Sequence, residues 1–194
     1  MNYTWVDYFI FGIFLFSALL GLARGLLREI ISALSLLLAL VVMIKFTMPL
    51  SALLYNNQGA LDVIASFLYY FNLAVASQLY VVAVGVSLLL LFVAVYTTGE
   101  AINFYANLEL VVFPLAWIGR ILGAALGLMR GYVFNLILIL VVQLTPIVQE
   151  AAWTQSVFVP QLQPKATQLG NLLNLPGGFP KWAPPSKGSS PSPA

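Results

Sequence analysis

The 194-residue sequence contains no cysteine and no histidine. Without cysteine the chain has neither disulfides nor thiolate metal sites, and without histidine it lacks the commonest general base and metal ligand. Its six acidic residues are scattered singly, and the metalloprotease, nucleophile-elbow and phosphate-loop patterns are absent. We therefore expect a protein that is not an enzyme and that holds no metal or other cofactor.

Charge is also scarce, because only 7% of the residues are charged while 61% are hydrophobic. An ordinary soluble domain has about a quarter charged residues, so this chain has too few to cover a surface that faces water. The eight basic residues are spread along the sequence and form no basic patch, which argues against nucleic acid as a partner. The lipid bilayer is the expected surroundings of most of the chain.

Four apolar segments are long enough to cross a bilayer, since about 20 helical residues span a hydrocarbon core of ~30 Å. The sequence therefore predicts an all-α integral membrane protein with one transmembrane domain over residues 1–148. The predicted helices cover residues 5–23, 30–48, 79–98 and 121–144. Pro49 is expected to end the second helix, and residues 50–78, with a turn-like cluster at 56–59, are expected to form an outer loop.

Three further segments have a different character. Residues 104–118 are apolar but interrupted by Glu109 and Pro114, which predicts a short segment that lies at the interface or enters the bilayer partway. Residues 149–175 are expected to form a short amphipathic segment. Residues 176–194 are rich in Pro, Gly and Ser and are expected to be disordered.

The arginines of the short connections predict the orientation. Arg24 and Arg28 lie in the first connection and Arg120 precedes the last helix, all on one side of the membrane. Because cytoplasmic connections carry the excess of Lys and Arg, this side is expected to be cytoplasmic and both termini periplasmic. We also expect these three guanidinium groups to meet phosphates of the inner leaflet.

Glycines recur at every fourth position before and within the last predicted helix. Small residues at this spacing lie along one slowly drifting helix face and allow close approach of another backbone. One such series is Gly119, Gly123, Gly127 and Gly131, and a shorter one is Ser17, Gly21 and Gly25. Two interpretations stay open, namely close packing between helices and a surface that moves or lines a pore.

Arg130 lies nine residues after Ile121, so its Cα is expected ~13 Å inside the bilayer. A charge at that depth needs a partner, and the candidates are Glu29 and Glu100. Asn135 is a second polar residue in the same helix. The pattern fits a structural ion pair, a site that handles ions, protons or substrate, or a site for anionic lipid headgroups.

Three groups of residues follow one another along the chain: Asp7, Gly21, Arg24, Gly25, Arg28 and Glu29; Arg120, Gly123, Gly127, Arg130 and Gly131; Trp153, Ser156 and Pro160. In this order and spacing they resemble the colicin V production protein family of bacterial inner membranes. The resemblance covers residues 3–165. It departs from the family pattern at Gly119, where the family often has an acidic residue, and at residues 110–117, which are unusually apolar.

The resemblance implies an inner-membrane protein needed for the production or export of a peptide toxin and linked to envelope homeostasis. We expect a non-enzymatic membrane platform that packs as a homo-oligomer or against other envelope membrane proteins, with Gly123, Gly127 and Gly131 in the contact face. The alternative is a small oligomeric transporter or channel in which Arg130, Asn135 and Glu100 line a polar path. A third possibility is an anchor that binds a soluble complex through the chain after Pro146.

Overall fold

The computed structural model describes residues 3–70, 79–105, 116–145, 148 and 151–172. The described residues form seven α-helices: α1 (Trp5–Arg24), α2 (Leu26–Asn56), α3 (Gln58–Tyr70), α4 (Leu79–Tyr105), α5 (Ala116–Gln143), α6 (Ala151–Thr154) and α7 (Val159–Asn171). Most of the predicted interfacial segment 104–118 and the whole predicted tail 176–194 lie outside the described residues.

Four of these helices, α1, α2, α4 and α5, are long and apolar enough to cross a membrane. Large apolar side chains such as Phe9, Leu15, Leu38 and Leu53 are exposed on their outer faces. That arrangement suits hydrocarbon as the surrounding solvent, since backbone polar groups are satisfied within each helix. The predicted all-α membrane fold is confirmed.

The spanning helices pack as two pairs, α1 along α5 and α2 along α4, and contacts between α2 and α5 join the pairs. Each helix contributes fully buried apolar side chains to one core, among them Ile10, Met43, Leu88 and Leu140. The interior is therefore a filled core over much of its length.

Gly25 is the single residue that separates α1 from α2. Its φ of 78° and ψ of 174° lie in a region that side chains with a Cβ rarely adopt. The chain reverses there, which places Arg24 and Arg28 at the same end of the bundle. Gly25 therefore sets the geometry of the first connection.

Helix α2 is longer than predicted, since it begins at Leu26 and continues through Pro49 to Asn56. Pro49 cannot donate to the carbonyl four residues earlier, but membrane helices accept proline where nearby hydroxyls bond backbone groups. Thr47 Oγ1 donates to Met43 O at 2.6 Å and Ser51 Oγ donates to Met48 O at 2.9 Å, so these hydroxyls bond carbonyls next to the proline turn but not Lys45 O, the carbonyl that Pro49 leaves free. The expected end at Pro49 is corrected accordingly.

The predicted outer loop 50–78 is largely helical where it is described, because α2 ends at Asn56 and α3 occupies Gln58–Tyr70. Helix α4 extends to Tyr105 and α5 already begins at Ala116, so both are longer than their apolar segments alone indicated. Helices favour lengthening because each added residue adds a backbone hydrogen bond.

The predicted amphipathic segment contains α6 and α7, which fold back onto the bundle. Val159, Leu162 and Ala166 are buried along one face of α7, three to four residues apart, as expected for an amphipathic helix. They join the main core beside Trp153. The chain after α5 therefore packs back against the bundle, with α7 mainly along α5.

Gly25→Ala is expected to lower the stability of the protein by roughly 1–3 kcal/mol, the cost of a residue with a Cβ in this backbone region. Gly12→Ala is the matched control, because Gly12 is in α1 and a Cβ there meets nothing within 4 Å. Thermal unfolding in detergent measures both variants. Equal stability of the two would contradict the role assigned to Gly25.

Candidate functional site

Helices α1 and α5 approach closely along a glycine seam formed by Gly21, Gly123, Gly127 and Gly131. A Cβ added at Gly21 or Gly123 would overlap the backbone of the other glycine, and one at Gly127 would overlap the carbonyl of Ser17. In lipid, where apolar surface gives little drive for association, such close approach provides much of the packing energy. The seam lies inside one chain, so it does not form the predicted contact face toward another protein.

Gly119 lies apart from this contact, because a Cβ there meets nothing within 4 Å in the described part of the chain. A Cβ at Gly25 also meets nothing within 4 Å, but the backbone carbonyl carbon of Gly25 is 3.0 Å from a Cβ added at Gly123, so Gly25 borders the seam. A four-residue step rotates about 40° around a helix, so Gly119 is turned roughly 120° away from Gly131. This rotation around α5 places Gly119 outside the glycine seam.

Ser17 connects the seam to the buried arginine. Its Oγ donates to Gly127 O at 2.6 Å, and the same oxygen accepts a hydrogen bond from Arg130 Nε at 3.0 Å. Arg130 Nη2 also donates to Ser17 O at 3.2 Å. One small polar residue of α1 therefore receives two of the arginine's donors, which is geometrically possible only because the backbones are so close.

Arg130 is the middle residue of the span Trp117–Gln143 and is only 3% exposed. Its side chain extends toward the start of α5, as helical side chains do, and reaches the first turns of α2. There Nη1 donates to Ser32 Oγ at 3.0 Å and lies 2.8 Å from Glu29 Oε1. The guanidinium therefore binds α1 and α2 together with its own helix.

Glu29, 1% exposed, is the carboxylate that pairs with Arg130, out of the two candidates from the sequence. Its second oxygen, Oε2, has no hydrogen-bond partner among the described residues. Removing either partner would leave an uncompensated charge in an apolar interior, which costs roughly 3–5 kcal/mol. The pair is thus balanced in charge but not saturated in hydrogen bonds.

Glu100, the other candidate, forms an ion pair with Arg24. This contact joins the end of α1 to α4, and Asn103 Nδ2 donates to Arg28 O at 3.1 Å nearby. Arg24, Arg28 and Arg120 all lie at this end of the bundle, which we call the arginine end. Helix α4 also reaches the buried site, because Tyr96 Oη and Ser32 Oγ share a hydrogen bond of 3.3 Å.

Asn135 lies on the other side of Arg130 and is completely buried. Its Nδ2 donates to Gly131 O at 2.9 Å and to Ile10 O at 3.4 Å. The amide therefore bridges α5 to α1 beyond the seam. Among the described residues no hydrogen bond joins it to Arg130 or Glu100, and it does not line the cleft that those two residues share.

A cleft of about 460 Å³ lies between α1 and α4, with α5 as its floor. Its walls are mainly apolar, while Arg24 and Glu100 lie at one end and Arg130, Ser17 and Tyr96 at its base. The apolar lining residues are Ile13, Phe16, Leu20 and Phe134. We call this the α1/α4 cleft.

Arg120 is on the opposite side of α1 and is exposed. It lines a shallow trough of about 550 Å³ together with Trp117, Leu19 and Leu22. It forms no ion pair with a described residue. An exposed Arg beside a Trp is typical of the headgroup level of a membrane.

Asp7 forms a second polar contact that the sequence did not predict, although Asp7 and Ser156 are both in the motifs of the resemblance. Asp7 Oδ1 accepts hydrogen bonds from Ser156 Oγ at 2.6 Å and from the backbone N–H groups of Val157 and Phe158 at 2.9 and 3.0 Å. Thr4 donates to the other oxygen. The carboxylate therefore binds the chain just before α7 to the start of α1.

No three acidic side chains in the described ranges lie close enough together to hold a metal ion. The charged groups at this site form pairs with arginine instead. The site is therefore a buried polar contact between α1, α2 and α5, and the apolar α1/α4 cleft lies beside it.

Comparisons with known proteins found a matching family and related sequences. A profile of the family described as colicin V production protein matches residues 6–167. A colicin V production protein homolog from Haemophilus influenzae is 29% identical over 156 residues, which cover 80% of this chain and 83% of that protein. The colicin V production protein of Escherichia coli K12 is 25% identical over 159 residues, 81% of this chain and 86% of that protein. No solved structure matches.

Gly127→Leu is expected to separate α1 from α5 and to destabilise the bundle by more than the roughly 1–3 kcal/mol typical of overpacking, because backbone cannot move aside as a side chain does. Gly119→Leu and Arg120→Gln should leave assembly largely intact, since neither residue takes part in the seam. Thermal unfolding and size-exclusion chromatography in detergent compare the three. Similar losses in all of them would refute the seam.

Proposed function

Since this chain belongs to the colicin V production protein family, we propose that it is a bacterial inner-membrane protein that supports peptide-toxin production or export and envelope homeostasis. In this proposal it acts as a non-enzymatic platform for other envelope membrane proteins or for further copies of itself. The names of the two relatives support the connection with toxin production.

The platform proposal rests on how completely Arg130 is buried and bound by the other helices. Its guanidinium makes four contacts of 2.8–3.2 Å to Ser17, Ser32 and Glu29 and is 3% exposed. A residue that passes solutes along a path must exchange its partners for water or substrate. Arg130 instead uses its donors to hold α1, α2 and α5 in one arrangement, which favours a static membrane body.

The arginine end supports the proposed orientation. Arg24 and Arg28 flank the first connection, and Arg120 lies in a trough with Leu22 at the same end of α1. The excess of Arg near short connections is typical of the cytoplasmic side. With four spans, both termini then lie in the periplasm, and so does α3.

A transporter or channel is the second candidate, and the α1/α4 cleft is the observation that favours it. Arg130 and Glu100 both line this cleft. Asn135, the third residue of the hypothetical path, is fully buried and bonded to backbone carbonyls. The cleft is also mainly apolar, which suits hydrocarbon better than a hydrated solute.

Variants of the Glu29–Arg130 ion pair distinguish the platform from the transporter. Arg130→Gln alone should cost roughly 3–5 kcal/mol, because Glu29 is left buried and unpaired. The double variant Glu29→Gln/Arg130→Gln removes both charges and should be less destabilised than the sum of the single variants. If the pair is structural, the folded double variant still supports toxin production.

The measurement uses a strain that lacks its own family member and carries a peptide-toxin plasmid. Zones of growth inhibition report toxin release, and immunoblots report the amount of each variant in the membrane. A double variant that accumulates normally but releases no toxin would assign the charges to transport.

Accessibility provides an independent test, because the natural chain has no cysteine. Leu20→Cys and Phe134→Cys place thiols in the α1/α4 cleft, and Leu140→Cys is a fully buried control. We expect a charged, water-soluble thiol reagent to modify none of the three in intact membranes. Modification of the cleft thiols would indicate a wet path.

Asp62→Cys, exposed on α3, is the positive control. With α3 in the periplasm, it should react in intact cells with a reagent that does not cross the membrane. Reaction only after the cells are permeabilised would reverse the proposed orientation.

A further inference from the structure

The α1/α4 cleft ends in a small pocket where some polar atoms have no hydrogen-bond or ion-pair partner among the described residues. The pocket, of about 50 Å³, is lined by Arg24, Arg28, Glu100, Asn103 and Phe104. Two guanidinium groups face a single carboxylate there, so the local charge is +1. Arg28 forms no ion pair with a described residue.

The same pocket contains buried acceptor atoms that receive no hydrogen bond from a described residue. Glu100 Oε1 and Asn103 Oδ1 are buried and have no hydrogen-bond partner in the described ranges. Asn103 is only 6% exposed, and its Nδ2 already donates to Arg28 O. Buried polar atoms are normally paired, since an unpaired one costs roughly 1–3 kcal/mol. A group that supplies both an anionic oxygen and a hydroxyl would satisfy the arginines and these acceptors together.

We propose that the α1/α4 cleft and its end pocket bind one phosphatidylglycerol molecule from the leaflet at the arginine end. One acyl chain lies in the cleft along Ile13 and Leu20. The phosphate pairs with Arg28 and Arg24, and a headgroup hydroxyl donates to Glu100 Oε1 or Asn103 Oδ1.

The shape of the cleft favours a lipid chain as its occupant. Its volume of about 460 Å³ is within the range of ligand sites, and its apolar walls continue into outer helix faces such as Phe16, which is 65% exposed. Hydrocarbon therefore enters from the bilayer without crossing water. A water-soluble solute would exchange its hydration for apolar walls, which is unfavourable.

The charge of the pocket favours an anionic headgroup. The phosphate of phosphatidylglycerol neutralises the local charge of +1. Phosphatidylcholine carries its phosphate together with a choline cation, so it is net neutral, leaves the local charge in place and has no headgroup hydroxyl to donate. The trough beside Arg120 has one cation and apolar neighbours, but none of the described unpaired acceptors lines it. The excess positive charge and the unpaired acceptors, which a glycerol-phosphate headgroup needs, therefore occur together only at the α1/α4 cleft among the described surfaces.

The test places the purified full chain in nanodiscs with equal amounts of phosphatidylglycerol and phosphatidylcholine, followed by mild delipidation and native mass spectrometry. We expect one retained phosphatidylglycerol per chain, preferred over phosphatidylcholine by roughly tenfold or more, as a charge-assisted hydrogen bond gives. Equal retention of the two lipids would overturn the headgroup assignment.

Leu20→Trp and Ile13→Trp fill the cleft and should each abolish the retained lipid. Leu15→Trp, on the exposed face of the same helix, is the matched control and should keep it. Arg28→Gln should remove the preference for phosphatidylglycerol. Unfolding temperatures identify folded variants, and full retention by a folded cleft-filling variant would overturn the proposal.

The lipid site and the platform proposal are tested by different measurements and can fail independently. Lipid retention is measured on purified protein, whereas platform function is measured as toxin release by cells. A chain that releases toxin but retains no phosphatidylglycerol would refute the lipid site and leave the platform intact.

Discussion

A guanidinium in the middle of a membrane span must be satisfied by protein, and this requirement governs the arrangement of the helices. Placing Arg at that depth costs roughly 2.5–3.5 kcal/mol if nothing receives it. Here Glu29 balances the charge of Arg130, while Ser17 and Ser32 accept three further hydrogen bonds from it. These partners come from two other helices, so the position of each helix is set by one side chain of α5.

The glycine seam makes that solution geometrically possible. A serine side chain is short, so Ser17 reaches both Gly127 O and Arg130 only because α1 and α5 are in backbone contact. Conversely, glycines alone provide close packing without choosing an axial register. The hydrogen bonds of Ser17 supply that register, because they join one turn of α1 to one turn of α5. Packing and polar contacts therefore depend on each other here.

The sequence predicted the four spans, the close packing of glycines and the need of Arg130 for an acidic partner. It could not choose between Glu29 and Glu100, because both lie toward the same end and the choice depends on which helices are neighbours. Ser17 and Ser32 gave little signal as ligands, since hydroxyls in membrane helices often bond their own backbone, as Thr97 does with Val93 O.

The polar contacts are distributed unequally around the bundle. Helix α1 is joined to α5 by the seam and by Ser17, whereas α1 meets α4 through the ion pair of Arg24 with Glu100 at one end. Between them the α1/α4 cleft remains. Since the charges at its base are already paired, the cleft presents mainly apolar surface to its surroundings. Hydrocarbon can fill such a space without disturbing Arg130, whereas water would compete for the hydrogen bonds that hold the helices. The stability of the buried site therefore depends on what occupies the cleft.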